Sequence, residues 1–193
     1  MKATRAVAVS LLLAGAWIAS APATAQAYLG FGVGKSDYDI GNVIPDLVTS
    51  SSSFDGKDTG YKIFGGYQFN PYFAVEVAYV DLGKATYSGA FGLLAVTNGS
   101  VETWGVNASA VGILPLSPSF ELFGKIGLFG WESKARDTTG GVPFSGEADD
   151  ADVSFGAGMA LNVTRNVSIR VEWERFKAVD NIDLLSLGLA FKF

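Results

Sequence analysis

The last nine residues of the chain alternate strictly between large apolar and small or polar side chains. The large apolar side chains occupy every second position and are Leu185, Leu187, Leu189, Phe191 and Phe193. A period of two is typical of a β-strand with one apolar face. If that face contacts lipid, the sheet has to close on itself, because hydrocarbon offers no partners to the backbone groups of an open edge.

The same alternation recurs along the chain and predicts eight strands. Their approximate ranges are 27–36, 59–69, 72–82, 101–114, 120–131, 152–163, 167–176 and 185–193. Tight turns at Asn70, Pro115 and Thr164 alternate with segments of about twenty residues, 37–58, 81–100 and 132–151, that we interpret as loops. Short turns on one side and long loops on the other are typical of membrane barrels. The sequence therefore predicts an all-β protein, an eight-stranded antiparallel up-and-down transmembrane β-barrel.

The charged residues within the predicted strands fall on one face. They are Glu76, Lys125, Arg170, Glu172 and Glu174, and the opposite face is almost free of charge. A water-soluble barrel would put its apolar face inside and its charges outside. The uncharged face is instead clean enough for hydrocarbon, and unpaired charges are costly in a dry interior. We therefore expect these five side chains to form a charge network in the barrel lumen.

Aromatic residues supply a second indication of membrane insertion. The predicted register puts Tyr61, Tyr79, Trp104 and Trp173 at the outer rim of the barrel. At the periplasmic rim it puts Phe69, Tyr72, Phe73, Phe120, Phe191 and Phe193. Two aromatic belts are typical of membrane interfaces. Trp131 does not fit the pattern of outward aromatic belts, because alternation puts it on the same face as Lys125. A β-bulge near Gly127 or Gly130 would turn it outward, and we expect one there.

The first residues read as a secretory signal peptide. Lys2 and Arg5 precede an apolar run over residues 6–19, and small residues allow cleavage after Ala25 or Ala27. The run is too short for a transmembrane helix, which needs about 20 residues. We expect residues 1–27 to be removed and residues 28–193 to form the barrel. Cleavage takes away two cations and lowers the net charge from −5 to −7, which disfavours nucleic acid as a partner.

Three stretches of the sequence resemble the OmpA-type transmembrane domain. They are residues 65–72 (GGYQFNPY) followed by Glu76, Tyr79, Leu82 and Gly83, residues 170–173 (RVEW), and the terminal strand. The resemblance implies an outer-membrane barrel whose C-terminal strand, with Leu185, Leu187, Leu189, Phe191 and Phe193, is recognised by the barrel-assembly machinery after periplasmic chaperones deliver it.

The resemblance also implies interior residues. Glu76 and Arg170 match a family pair across the lumen, and Lys125 matches another inward cation. A second family pair is absent, since Ser109 and Ala160 stand in its places. Larger members add a periplasmic peptidoglycan-binding domain; the chain stops at Phe193, so we expect a stand-alone barrel.

Composition argues against catalysis. The chain has no histidine and no cysteine, so a serine nucleophile would lack the usual base and transition metals would lack their usual ligands. The acidic run Glu147, Asp149, Asp150 and Asp152 does not have the spacing of a calcium loop. We expect no enzyme activity, no cofactor and no metal.

Two functions remain open. The first is a role in envelope structure and surface interaction or adhesion, in which the outer loops bind a host or surface ligand. The alternative is a narrow porin-like channel for ions or small solutes. Besides the bilayer, lipopolysaccharide is an expected partner of the basic residues near the outer rim, which are Lys35, Lys84, Lys134, Arg136, Arg175 and Lys177. The apolar segment Tyr87–Val96 either lengthens two strands or forms a contact patch.

Overall fold

The computed structural model describes residues 26–39, 53–55, 57–91, 95–139, 142–178 and 181–193. Their strands are β1 (Gln26–Asp39), β2 (Ser53–Asp55), β3 (Lys57–Asn70), β4 (Phe73–Phe91), β5 (Ala95–Ser117), β6 (Phe120–Thr139), β7 (Val142–Asn162), β8 (Val167–Lys177) and β9 (Asn181–Lys192). No helix in these ranges is long and apolar enough to cross a membrane. The predicted signal peptide lies almost entirely outside the described residues.

Eight of the strands close into a barrel. Each pairs antiparallel with its neighbours, and the ring is completed where β1 pairs with β9 and β4 pairs with β5. The short β2 lies outside this ring and pairs with residues 86–88 of β4. At the seam the backbone N–H of Phe193 donates to the carbonyl of Ala27 at 2.9 Å. The predicted fold class is confirmed.

Side chains alternate between the lumen and the outer surface of this wall. In β8 every second residue is buried, from Ser168 to Phe176, and the residues between them are more exposed. The outer surface is apolar, with Ile63, Ile126 and Leu128 each 61–63% exposed. An outer surface of this kind is stable only against acyl chains, because so large an apolar area would drive association in water.

Four strands are longer than the sequence predicted. The segments 81–100 and 132–151, interpreted as loops, are mostly strand: β4 and β5 stay paired up to Phe91 and Ala95, and β6 and β7 up to Thr139 and Val142. The prediction ended each strand near the length needed to cross a bilayer, about 9–11 residues. Nothing in the hydrogen-bonding ladder requires it to stop at the membrane surface. The described residues of the segment Tyr87–Val96, which lie on either side of residues 92–94, thus lengthen β4 and β5.

The predicted bulge near Gly127 or Gly130 is wrong. β6 pairs with β7 from Phe120 to Thr139 without a shift in register. Trp131 therefore points into the barrel, where it is 7% exposed, and its Nε1 donates to Asp152 Oδ2 at 3.4 Å. The indole fits there because the outer half of the interior is largely apolar, a feature that alternation alone does not reveal.

Candidate functional site

Six charged side chains meet in the middle of the barrel, and we call them the interior charge cluster. They are Lys62 on β3, Glu76 on β4, Lys125 on β6, and Arg170, Glu172 and Glu174 on β8. Each occupies an inward position of its strand, and each is 2–6% exposed. Three cations and three carboxylates make the cluster electrically neutral.

Glu76 and Glu172 connect the cluster from strand to strand. Arg170 Nη1 donates to Glu76 Oε2 at 3.0 Å, and Lys125 Nζ donates to Glu76 Oε1 at 2.5 Å. Lys125 also lies 2.7 Å from Glu172 Oε2, and Lys62 lies 2.5 Å from the same oxygen. Lys62 additionally contacts Glu174. The carboxylates thus bind cations from three different strands.

Lys62 is the member that the sequence reasoning missed. Alternation with Tyr61 and Ile63 already marks it as inward, but it lies near the outer end of its predicted strand, far in sequence from the other charges. Barrel strands tilt by about 35–45°, so residues at different heights in a linear alignment meet at one level. The five predicted charges left an excess of one carboxylate, and that imbalance was the available signal.

Aromatic rings surround the guanidinium group of Arg170. Its Cζ lies 4.6 Å from the ring centroid of Phe64 and 4.5 Å from that of Phe123. Such contacts stabilise a cation that has lost its water. Arg170 Nε lies 2.7 Å from Glu172 Oε1, although the two do not align as a hydrogen bond. Tyr28 adds a further hydrogen bond to Glu76, because its hydroxyl donates to Oε2 at 3.0 Å.

Above the cluster, toward the outer end, the interior becomes apolar. Asn107 and Ser154 form a polar contact, with the Ser154 hydroxyl 2.7 Å from Asn107 Oδ1. Beyond it lies a group that we call the apolar plug, made of Val80, Leu82, Phe129, Phe176, Ile182 and Leu184, each 0–2% exposed. The rings of Phe129 and Phe176 lie 4.6 Å apart. The sequence reasoning missed this layer because it treated the inward face as polar.

Below the cluster, toward the periplasmic end, there is a small cavity of about 30 Å³. Tyr28, Gln68, Glu121, Arg170 and Lys192 are among its lining residues. A cavity needs roughly 10–15 Å³ to hold one water molecule, so this space has room for about two. Ser109 and Ala160, which replace the second family pair, are buried and carry no charge.

The predicted rim residues lie on the outer surface. Tyr61, Tyr79 and Trp173 are 56%, 47% and 36% exposed, and Trp104 is half-buried with its ring 6.1 Å from that of Tyr79. In β9, Leu185 and Leu187 face outward and Leu189 is half-buried, while Phe191 and the residue after the strand, Phe193, lie at the opposite rim. In the described ranges no group of acidic side chains is arranged to hold a metal ion.

The model of the OmpA-like transmembrane domain matches residues 22–193. The chain belongs to this family. Outer membrane protein A of Salmonella typhi is 29% identical to it over 209 residues, which cover 100% of the chain and 56% of the relative. The chain therefore spans about half the length of the curated relatives that it matches.

Two solved structures have a similar fold. The attachment invasion locus protein Ail of Yersinia pestis has a TM-score of 0.56 at 19% identity, over 88% of this chain and 97% of that protein. The outer membrane protein OprG of Pseudomonas aeruginosa has a TM-score of 0.58 at 11% identity, over 88% and 96%. The OmpA-like chain is thus an integral outer-membrane β-barrel, and the predicted location in the outer membrane is confirmed.

Proposed function

We propose that this OmpA-like protein is a non-enzymatic barrel with a closed lumen, which contributes to envelope structure and makes surface contacts through its outer strands and loops. The observation that carries the proposal is that two layers of side chains fill the lumen. The interior charge cluster occupies the middle of the barrel, and the apolar plug occupies the half that faces the outside.

The two layers oppose ion passage for different reasons. In the charge cluster, every carboxylate has a cation within hydrogen-bonding distance, so a passing ion has to displace an existing partner. In the apolar plug, an ion would lose its hydration and meet mainly hydrocarbon side chains, which is strongly unfavourable. A conducting state therefore requires rearrangement of both layers.

One observation favours the alternative of a narrow channel. Glu172 Oε2 lies within 2.5 Å of Lys62 and 2.7 Å of Lys125. Because one oxygen serves two lysines, either lysine could change partner without leaving all carboxylate contact. This freedom is confined to the charge cluster, since Phe129 and Phe176 close the lumen beyond it. We therefore rank the narrow channel below the closed barrel as the proposed function.

The lengthened strands support the surface role. The nine residues Ala95–Thr103 precede Trp104 in the outer aromatic belt, and at about 3.3 Å per residue they extend β5 by roughly 30 Å. β4, β6 and β7 extend with it, whereas β8 has only 11 residues. The result is a paired sheet that rises on one side of the barrel and is available for a host or surface ligand. Ail, at 19% identity, supports only the fold, so the proposal of adhesion rests on the lengthened strands.

We also propose the envelope partners. Lys84 and Lys134 pair with Glu102 at 3.5 Å and Glu132 at 3.2 Å. Among the basic rim residues, the exposed Lys35, Arg136 and Lys177 are better suited to lipopolysaccharide phosphates. The outward apolar residues of β9, from Leu185 to Phe193, would serve as the signal for the barrel-assembly machinery and its chaperones.

Single-channel recording in planar bilayers tests the proposal. The wild-type protein is expected to be silent, and so is Glu76→Gln, because the apolar plug stays in place. A triple variant with Phe129→Ala, Phe176→Ala and Glu76→Gln should conduct. Steady conductance of the wild type that changes in Glu76→Gln would instead establish the channel. Binding of whole cells to host matrix, with and without deletion of residues 86–99, tests the surface role.

A further inference from the structure

A surface pocket lies at the outer rim of the barrel wall, where the pairing of β3 with β4 ends. The two strands pair up to Tyr61 and Asp81, and the register of β4 against β5 shifts between Asp81 and Lys84. Gly83 lies at this shift with φ of 75°. The pocket has a volume of about 400 Å³, and we call it the rim notch; it is lined by Asp58, Thr59, Tyr61, Asp81, Gly83, Lys84, Glu102 and Trp104.

Hydrogen bonds fix the shape of the rim notch. Asp58 links the two strands beyond the end of their ladder, because its Oδ2 accepts the N–H of Lys84 at 2.7 Å and its Oδ1 accepts the N–H of Thr59 at 2.7 Å. From inside the barrel, Ser36 and Tyr38 donate to the carbonyl of Leu82 at 2.6 and 3.2 Å. These contacts pair three backbone groups that lie beyond the last paired residues of β3 and β4.

The rim notch is negatively charged. Asp58, Asp81 and Glu102 contribute three carboxylates against the single ammonium group of Lys84, which leaves a net charge of −2 at neutral pH. Lys84 Nζ lies 3.5 Å from Glu102 Oε1, and both side chains are more than 40% exposed. This excess of carboxylate disfavours a ligand with a net negative charge, so the site differs from the basic rim positions proposed for lipopolysaccharide.

Aromatic walls decide between a metal ion and an organic cation. The described carboxylates are not arranged to hold a metal ion, whereas Tyr61, 56% exposed, and the half-buried Trp104 both line the notch. Carboxylates beside aromatic rings are a favourable environment for an ammonium group. We propose that the rim notch binds a primary ammonium group, carried either by the headgroup of a neighbouring lipid or by a free polyamine.

The test follows the indole N–H of Trp104 by NMR, with the protein in dodecyl maltoside micelles. Spermidine is added in one arm, and phosphatidylethanolamine is added to the micelles in the other. A saturable shift of the Trp104 signal is expected in at least one arm, with little change at Trp173. A response to spermidine identifies a free amine as the ligand, and a response to phosphatidylethanolamine alone identifies a headgroup.

Two variants and one control complete the test. Glu102→Gln should weaken binding about threefold to fivefold, since an exposed charge contributes up to ~1 kcal/mol. Trp104→Leu, read from the amide signals of residues 58–60, should weaken it by a similar factor. Asp183→Asn removes a carboxylate at the same rim on β9, across the barrel, where it lies 2.6 Å from Arg175, and should leave binding unchanged. No saturable shift in either arm, or equal weakening by Asp183→Asn, would overturn the proposal.

Discussion

Replacing Lys62 with methionine removes one cation from a neutral cluster and nearly preserves side-chain length. The Lys62 side chain is 1% exposed and its ammonium group contacts both Glu172 and Glu174, so the variant leaves one buried carboxylate charge uncompensated. Breaking a buried ion pair from one side costs about 3–5 kcal/mol. We expect the free energy of unfolding of Lys62→Met to fall by about that amount.

A double variant separates the charge imbalance from the loss of packing. In Lys62→Met combined with Glu174→Gln, two cations and two carboxylates remain, so neutrality returns. The double variant should therefore be more stable than Lys62→Met, with a coupling energy of about 2 kcal/mol. The exposed Lys177→Met is the control and should change stability by less than about 0.5 kcal/mol.

Urea-induced unfolding in lipid vesicles, followed by tryptophan fluorescence, measures these four proteins and the single variant Glu174→Gln, which the coupling energy requires, under one condition. The linear dependence on urea gives the free energies if the slopes agree. The reasoning is refuted if Lys62→Met unfolds like the wild type. It is also refuted if the double variant is less stable than Lys62→Met, because neutrality would then not be what stabilises the cluster.

Three further predictions concern the register, the outer rim and processing. Val171→Arg should lower barrel stability by about 2–4 kcal/mol if Val171 faces mid-bilayer; an unchanged urea midpoint would contradict the assigned faces. Burial raises the pKa of Tyr38, so the folded state keeps its phenol protonated where the unfolded chain loses the proton. Stability should therefore fall as pH rises above about 10, and Tyr38→Phe should remove that contribution in urea titrations at high pH. Cleavage after Ala25 leaves β1 complete from Gln26, and mass spectrometry of the exported protein should find that terminus rather than one at Tyr28.

The register of the barrel could be predicted because alternation is a local property. In β8 the order Ile169, Arg170, Val171, Glu172 assigns each side chain to a face without knowledge of any partner. The positions of residues along the barrel axis were harder to predict from the sequence, since the tilt of the strands decides which residues meet. Lys62 was therefore left out of the predicted charge network, although alternation already placed it on the inward face.

The apolar plug and the strand extensions could not be predicted for a different reason. Phe129 and Phe176 alternate with outward residues like any inward pair, and only three-dimensional packing shows that they meet at 4.6 Å. Trp131 was assigned a bulge because an indole was expected to require the membrane interface. In the structure the apolar outer half of the lumen accommodates it. The extensions of β4–β7 depend on pairing in water, where membrane thickness sets no limit.

The central claim is that the apolar face of the wall contacts acyl chains while the charged face is enclosed. The chain has no native cysteine, so single cysteines carrying nitroxide spin labels can be introduced from position 167 to 174 of β8. In lipid vesicles, collision with oxygen should be high at odd positions and low at even ones, with a period of two. Equal accessibility at all positions, or high collision rates with a water-soluble nickel complex at odd positions, would contradict the account.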